Sequence, residues 1–169
     1  MKKLLTILTL ATTTVTSFGQ CFTTDYHADP NSGQITIKEK VLVPGKTKAD
    51  LFDLAAVWVA INMTEAQESG QKILNDTRLT VSNKDLGILK GTFRINYSYK
   101  EGFRYLLYDI TIRVGEGYYE YTINGFSMNK KPMEEFLRTK YGDEFYAISF
   151  ADICKKLKSA IVDMKTNIQ

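Results

Sequence analysis

The sequence has few of the residues that most often build catalytic and metal sites. Among its 169 residues there is one histidine, His27, and there are two cysteines, Cys21 and Cys154. A zinc site needs a cluster of such side chains, so the sequence predicts no metal centre. A Cys154 nucleophile would need the single histidine as its base, and His27 lies far from it in a polar segment. We therefore expect a protein that is not an enzyme, with no catalytic residues, cofactor or metal.

Long apolar runs are also missing, apart from one at the start of the chain. Lys2 and Lys3 precede an apolar stretch over residues 4–15, and the small residues Ser17 and Gly19 follow it. This is the plan of a secretory signal peptide. The stretch is shorter than the roughly 20 residues that a membrane-spanning helix needs. The sequence predicts a signal peptide over residues 1–19 and an exported protein, periplasmic or extracellular, without a transmembrane segment.

Three alternatives stay open for the cysteines of the exported chain. Cys21 follows the signal peptide closely, as a lipid-modified cysteine does, but Gln20 stands where a lipoprotein signal has a small residue. A lipid anchor at Cys21 is therefore the less favoured interpretation. Cys21 and Cys154 are otherwise able to form a disulfide in an oxidising compartment, or Cys154 is a small buried apolar residue and Cys21 a free thiol.

The charge of the chain is nearly balanced. The formal net charge is +3, and removal of Lys2 and Lys3 with the signal peptide would leave +1. A nucleic-acid-binding domain is usually strongly basic, so we expect no nucleic-acid partner.

The middle of the chain predicts one α+β domain over residues 34–127, preceded by a flexible arm over residues 20–33. Residues 34–43 read as a strand, and the charged Glu39 within it indicates an edge position or a bulge. Thr47 and Asp50 have the spacing of a helix start, and an apolar helical stripe continues to Asn62. Trp58, the single tryptophan, is interpreted as the core anchor of this helix.

Four further strands are predicted after the helix. One covers residues 78–82, and residues 91–126 alternate apolar and polar side chains in three segments separated by glycine-bearing turns. The predicted order is β-α-β-β-β-β. We expect an antiparallel sheet of about five strands with one long helix packed on a face.

Residues 128–169 are predicted to form a C-terminal helical extension. A short helix is expected over residues 132–140, and a longer amphipathic helix from Ser149. We favour an arrangement in which these helices cover the second face of the sheet, because soluble proteins rarely expose large apolar patches. The alternative is that part of this face is exposed. A further alternative makes the last helix a docking element between molecules, through Ile161 and Met164.

Three segments resemble a known family. They are VLVPGKTKADLFDLAAVWVA at residues 41–60, LGILKGTF at residues 86–93 and YYEYTINGF at residues 118–126. Together they are similar to exported bacterial proteins of unknown function, chiefly from Bacteroidetes, with a fold like that of the TATA-binding protein. The resemblance covers about residues 35–126 and implies a TBP-like fold. It supplies no catalytic residues, and fold does not imply function.

The remaining functional signal is a second set of aromatic side chains on the meander. These residues alternate with the predicted core positions, and arginines stand close to them. We interpret them as a candidate surface for an envelope protein, a peptide or a glycan: Phe103, Tyr105, Tyr118, Phe126, Arg94 and Arg113. The sequence thus favours a noncatalytic binding or scaffolding domain of the cell envelope. The alternative is a periplasmic hydrolase with an unrecognised acidic site, for which Asp109 and Glu120 are the candidate pair.

Overall fold

A computed structural model gives the architecture of the chain. It describes the backbone of residues 34–68, 78–99, 102–128, 131–133 and 144–169. It describes the side chains of residues 34–62, 78–97, 104–128, 131–133 and 149–169. The predicted signal peptide and arm lie outside these residues.

The described strands form a single antiparallel sheet. They are β1 (Ile37–Leu42), β2 (Arg78–Asn83), β3 (Ile88–Tyr99), β4 (Gly102–Gly115), β5 (Tyr118–Met128) and the two-residue β6 (Lys131–Pro132). The strand order is β1-β5-β4-β3-β2, and β6 pairs with β5. The predicted α+β class and the β-α-β-β-β-β succession are confirmed. β1 is an edge strand of this sheet, as the charged Glu39 indicates.

Two long helices accompany the sheet, α1 (Lys48–Glu68) and α2 (Glu144–Asn167). The start of α1 is the predicted capping box. The backbone N–H of Asp50 donates to Thr47 Oγ1 at 3.2 Å, and the backbone N–H of Thr47 donates to Asp50 Oδ2 at 3.2 Å. The helix runs beyond the predicted end at Asn62. α2 begins at Glu144, five residues before Ser149, which is itself buried.

Both helices pack on the same face of the sheet, which we call the core face. Its strand residues are buried at alternate positions, as the period of two requires. The largest are Phe93, Tyr97, Tyr108, Tyr119, Tyr121 and Phe126. The ring of Trp58 from α1 lies 5.8 Å from that of Phe93. Phe93 stacks on Tyr108 at 5.9 Å, and Tyr108 on Phe126 at 6.1 Å, so rings of three adjacent strands form one line. Trp58 is therefore the core anchor of α1, as the sequence analysis predicts from the large area of its side chain.

The prediction that the C-terminal helices cover the second face is wrong for α2. The apolar stripe of α2 lies on β3 beside α1, and its side chains are buried there: Phe150, Ile153, Leu157, Ile161, Met164 and Ile168. The docking role of Ile161 and Met164 is wrong for the same reason, because both side chains already belong to the core. A long sheet has room for two helices side by side on one face.

The segment between β5 and α2 differs from its prediction where the structure describes it. Pro132 is in β6 and pairs with Ser127, whereas the sequence placed it in the first turn of a helix. Met133 is helical and buried, and residues 134–140 lie outside the described part. Among the described residues, neither helix has a stretch that is both long and apolar enough to span a bilayer.

Candidate binding surface

The face of the sheet opposite the helices is the candidate site, and we call it the open face. No described helix lies on it. Its side chains come from the positions that alternate with the core, and most are partly or fully exposed. From β1 to β3 they include Lys38, Lys40, Tyr118, Glu120, Thr122, Asn124, Tyr105, Leu107, Asp109, Thr111, Arg113, Lys90, Thr92, Arg94 and Asn96.

Four of the six predicted surface residues lie on the open face. They are Tyr105, Tyr118, Arg94 and Arg113, of which Arg113 is exposed and the others half-buried. The side chain of Phe103 lies outside the described residues. Phe126 is wrong as a surface residue, because it is 2% exposed within the core face.

A β-bulge explains the position of Phe126. The register of β4 and β5 shifts between Leu107 and Asp109, so that two residues of β5 stand opposite one of β4. Gly125 takes the positive φ of the bulge, 64°, which glycine adopts without steric cost. The extra residue returns Phe126 to the core face. Strict alternation from Tyr118 onward therefore assigns Phe126 to the wrong side.

The predicted residues do not form one cluster. Arg94 and Tyr105 lie together at one end of the open face, with the guanidinium carbon 6.0 Å from the ring centroid. Tyr118 stands opposite Gly115, ten residues further along β4 than Tyr105. At 3.3 Å per residue the two tyrosines are about 30 Å apart. The open face therefore suits an extended partner better than a compact one.

Tyr118 is held in a defined position. A Cβ atom on Gly115 would lie 2.5 Å from the Tyr118 ring, so the ring rests on the glycine backbone. The Lys40 ammonium lies 3.8 Å from the ring centroid. This cation–π contact and the glycine contact fix an aromatic side chain at the end of the face before any partner binds.

The two carboxylates of the open face are too far apart for the acid/base pair of a glycosidase. Asp109 stands opposite Asn124, and Glu120 is four residues from Asn124 on the same strand, a separation of about 13 Å. Glycosidase carboxyl groups are about 5 to 9.5 Å apart. Asp109 also accepts a 2.7 Å hydrogen bond from Thr92 Oγ1, while Glu120 pairs with Lys38 at 3.3 Å. Each of the two carboxylates thus has a partner of its own within the sheet.

Glu39 and Tyr119 are two further described polar side chains of the sheet with a shifted pKa. Glu39 accepts hydrogen bonds from Lys165 Nζ and Tyr121 Oη, both at 2.6 Å, and these bonds, that of Lys165 first, hold the pKa of its carboxyl below the usual range. Burial raises the pKa of Tyr119 to about 12, and no described group hydrogen-bonds its hydroxyl. Within the described residues no three Asp, Glu, His or Cys side chains come together as a metal site.

Cys154 is buried on α2 and disulfide-bonded. Cys21, the other cysteine of the chain, lies outside the described residues. The pairing of Cys21 with Cys154 stays a prediction.

A cleft of about 420 Å³ lies between the two helices on the far side of the molecule. Its central contact is a 2.7 Å hydrogen bond from Trp58 Nε1 to Asp163 Oδ2. Asn62 and Asn167, which also line it, donate to the Trp58 carbonyl and to Asp163. Because these side chains bind one another, the cleft serves the packing of the helices.

The fold and the open face together define an α+β protein in which one antiparallel sheet carries both long described helices on a single face. A family model described as "Domain of unknown function (DUF4468) with TBP-like fold" matches residues 38–129. That is more than half of the chain, and the chain belongs to this family. The resemblance noted from the sequence is thus confirmed.

Solved structures show the same fold. A DUF4468 family protein from Bacteroides ovatus ATCC 8483 has a TM-score of 0.58 and 16% identity, over 81% of this chain and 89% of that one. A TBP-like protein from Parabacteroides distasonis ATCC 8503 has a TM-score of 0.59 and 13% identity, over 84% of this chain and 99% of that one. Identities this low show the fold alone. No curated protein matches the chain.

Three functional candidates were missed from the sequence. Lys38, Lys40 and Lys90 alternate with core positions and so lie on the open face. Their alternation is readable in the sequence. Their proximity to one another cannot be read from the sequence, because it depends on the pairing of β1 with β5, the last long strand.

Proposed function

We propose that the chain is an exported, noncatalytic binding or scaffolding domain of the bacterial cell envelope, and that the open face is its binding surface. The observation that carries the proposal is the placement of both described helices on the core face. Within the residues that the structure describes, this leaves the other face of the six-stranded sheet without a helix. Tyr105, Leu107 and Tyr118 are partly exposed there.

The chemistry of the open face supports binding and not turnover. Aromatic and arginine side chains at Arg94, Tyr105 and Tyr118 are typical of recognition surfaces. The two carboxylates lack the spacing of an acid/base pair. Export is supported by the signal peptide that the first 19 residues predict. The hydrolase alternative has no comparable observation in its favour.

The experiment is cosedimentation of the purified chain with washed envelopes of its native host. The double variant Tyr105→Ala/Tyr118→Ala removes the two aromatic ends of the open face and is expected to abolish cosedimentation. The matched control is Val57→Ala/Val162→Ala, which trims two side chains that are 58% and 63% exposed on the helices. The control should sediment like the native chain.

Melting temperatures separate binding from folding. Tyr105 and Tyr118 lie outside the core, so their loss should lower the melting temperature by only a few degrees. Unchanged cosedimentation of the tyrosine variant, or equal loss in the control, contradicts the proposal.

A further inference from the structure

Cations gather at one end of the open face, on two adjacent cross-strand rows. Lys38 and Lys40 come from β1, Arg113 from β4 and Lys90 from β3, and a single carboxylate, Glu120, lies among them. We call these the cationic rows. Both rows cross the strands β1, β5, β4 and β3 in that order. The first row consists of Lys38, Thr122, Thr111 and Lys90. The second row consists of Lys40, Glu120, Arg113 and Ile88.

Most of this charge is not neutralised by other described residues. Lys38 forms the 3.3 Å ion pair with Glu120, and Lys40 lies over the Tyr118 ring. Lys90 and Arg113 are exposed, and neither forms an ion pair with any described residue. Two exposed cations, Lys90 and Arg113, and the ring-bound Lys40 are thus available to an external anion.

Elsewhere in the described chain several lysines are committed to carboxylates. Lys84 pairs with Asp53 at 2.6 Å, and Lys165 pairs with Glu39 at 2.6 Å. The net charge of +3 for the whole chain therefore understates the potential at this end of the sheet. Charge complementarity indicates a negatively charged partner.

We propose that the cationic rows bind an anionic polysaccharide, one that carries carboxylate or sulfate groups. This inference rests on the proposed function, since it names the partner of the same face. Arg113 and Lys90 are the residues that bind the anionic groups, and Arg113 offers the planar donor pair that suits a carboxylate or sulfate.

The hydroxyl and carboxylate groups between and beside the cations favour a sugar polymer over other polyanions. Thr111 and Thr122 present hydroxyl groups, and Asp109 and Glu120 present acceptors for the hydroxyl hydrogens of sugars. Double-stranded DNA carries a charge about every 1.7 Å and has no donors on its backbone, so its phosphates would meet these carboxylates unfavourably.

The spacing and shape of the rows agree with this partner. Lys40 and Arg113 lie two strands apart, about 10 Å, which is close to the length of a disaccharide. The surface is a broad sheet face and not a pocket, so it contacts consecutive units of an extended chain. Tyr118, fixed beside Lys40, adds an aromatic surface for a sugar ring.

The test is affinity electrophoresis of the purified chain in gels that contain a defined polymer. The probes are polygalacturonate for carboxylate, chondroitin sulfate for sulfate, neutral dextran, and duplex DNA at an equal concentration of charge. We expect retardation by at least one of the two anionic glycans, weakened by added salt, with little retardation by dextran. The double variant Lys90→Gln/Arg113→Gln should weaken glycan binding about tenfold, from two contacts of about 0.7 kcal/mol each.

The matched control is Lys155→Gln/Lys158→Gln, which removes the same charge from α2. It should bind the glycan within about twofold of the native chain. Equal retardation by dextran, equal weakening in the control, or tighter binding of DNA than of either glycan would overturn the inference. So would binding to no polymer at all. If the Tyr105→Ala/Tyr118→Ala variant still loses envelope binding in that case, the proposed function stands and only the anionic glycan is excluded.

Discussion

The indole Nε1 of Trp58 donates a 2.7 Å hydrogen bond to the carboxylate of Asp163, and this bond joins the two helices. Trp58 is 3% exposed, so its N–H has little access to water. The bond fixes α2 beside α1 on the core face, and so neither described helix lies on the open face.

The first prediction concerns this bond. Asp163→Ala leaves a buried donor without an acceptor and should lower the free energy of unfolding by about 1 to 2 kcal/mol. Urea denaturation followed by tryptophan fluorescence measures the change. Asp163→Asn keeps an acceptor oxygen and serves as the control, with a smaller loss expected. Equal stability of the alanine variant and the native chain would show that the bond does not matter.

A second prediction concerns the bulge at Gly125. Gly125→Ala places a side chain at φ 64°, with its Cβ 3.0 Å from Asp109 Oδ2, and should cost more than the conformational term of about 1 kcal/mol. Gly45→Ala is the control, because Gly45 has φ 86° but no atom within 4 Å of the new Cβ. In thermal unfolding, Gly125→Ala should have a lower melting temperature than Gly45→Ala. If Gly125→Ala instead unfolds at the higher temperature, the bulge does not require glycine at position 125.

A third prediction follows from the lowered pKa of Glu39. Lys165, followed by Tyr121, stabilises the ionised carboxylate in the folded chain. A lowered pKa in the folded state means that the stabilisation is present above the ordinary value of 4.5 and is lost as pH falls through the folded value. Glu39→Gln should therefore be less stable than the native chain at pH 7.

The pH dependence supplies the measurement for Glu39. Denaturation curves of the native chain and Glu39→Gln, recorded from pH 7 down to about pH 3, should converge toward the acid end. A constant difference over the whole range would mean that Glu39 contributes through packing and not through its charge.

A fourth prediction tests whether α2 is a core helix. Met164 is fully buried, so Met164→Ala should lower the free energy of unfolding by about 2 to 5 kcal/mol. Val162, two residues away, is 63% exposed. Val162→Ala should change the free energy of unfolding by less than about 0.5 kcal/mol. If Met164→Ala leaves the free energy of unfolding unchanged, the placement of Met164 in the core is contradicted.

Local signals in the sequence were sufficient for most of the fold. The Thr47 and Asp50 pair fixed the start of α1 because a capping box involves only neighbours in the chain. The alternation around Ile110 and Tyr121 identified the core face because the period of a strand is exact over short distances. The TBP-like topology was predicted from the family resemblance.

What the sequence could not supply depended on distant pairing or on one inserted residue. The bulge at Gly125 moves Phe126 to the core face, and a single glycine in a strand does not specify a bulge. The side of the sheet on which α2 packs depends on tertiary contacts such as Trp58 with Asp163. The cationic rows depend on β1 lying beside β5.

Thiol labelling tests the central claim most directly. The claim is that the partner binds to the open face and not to the helices. Thr111→Cys places a thiol in the middle of the open face, and Ser159→Cys places one on the exposed surface of α2. Both variants should react with a maleimide in the free protein. On bound envelopes Thr111→Cys should become protected while Ser159→Cys continues to react. Protection of Ser159→Cys alone, or an unreactive Thr111→Cys in the free protein, would contradict the account.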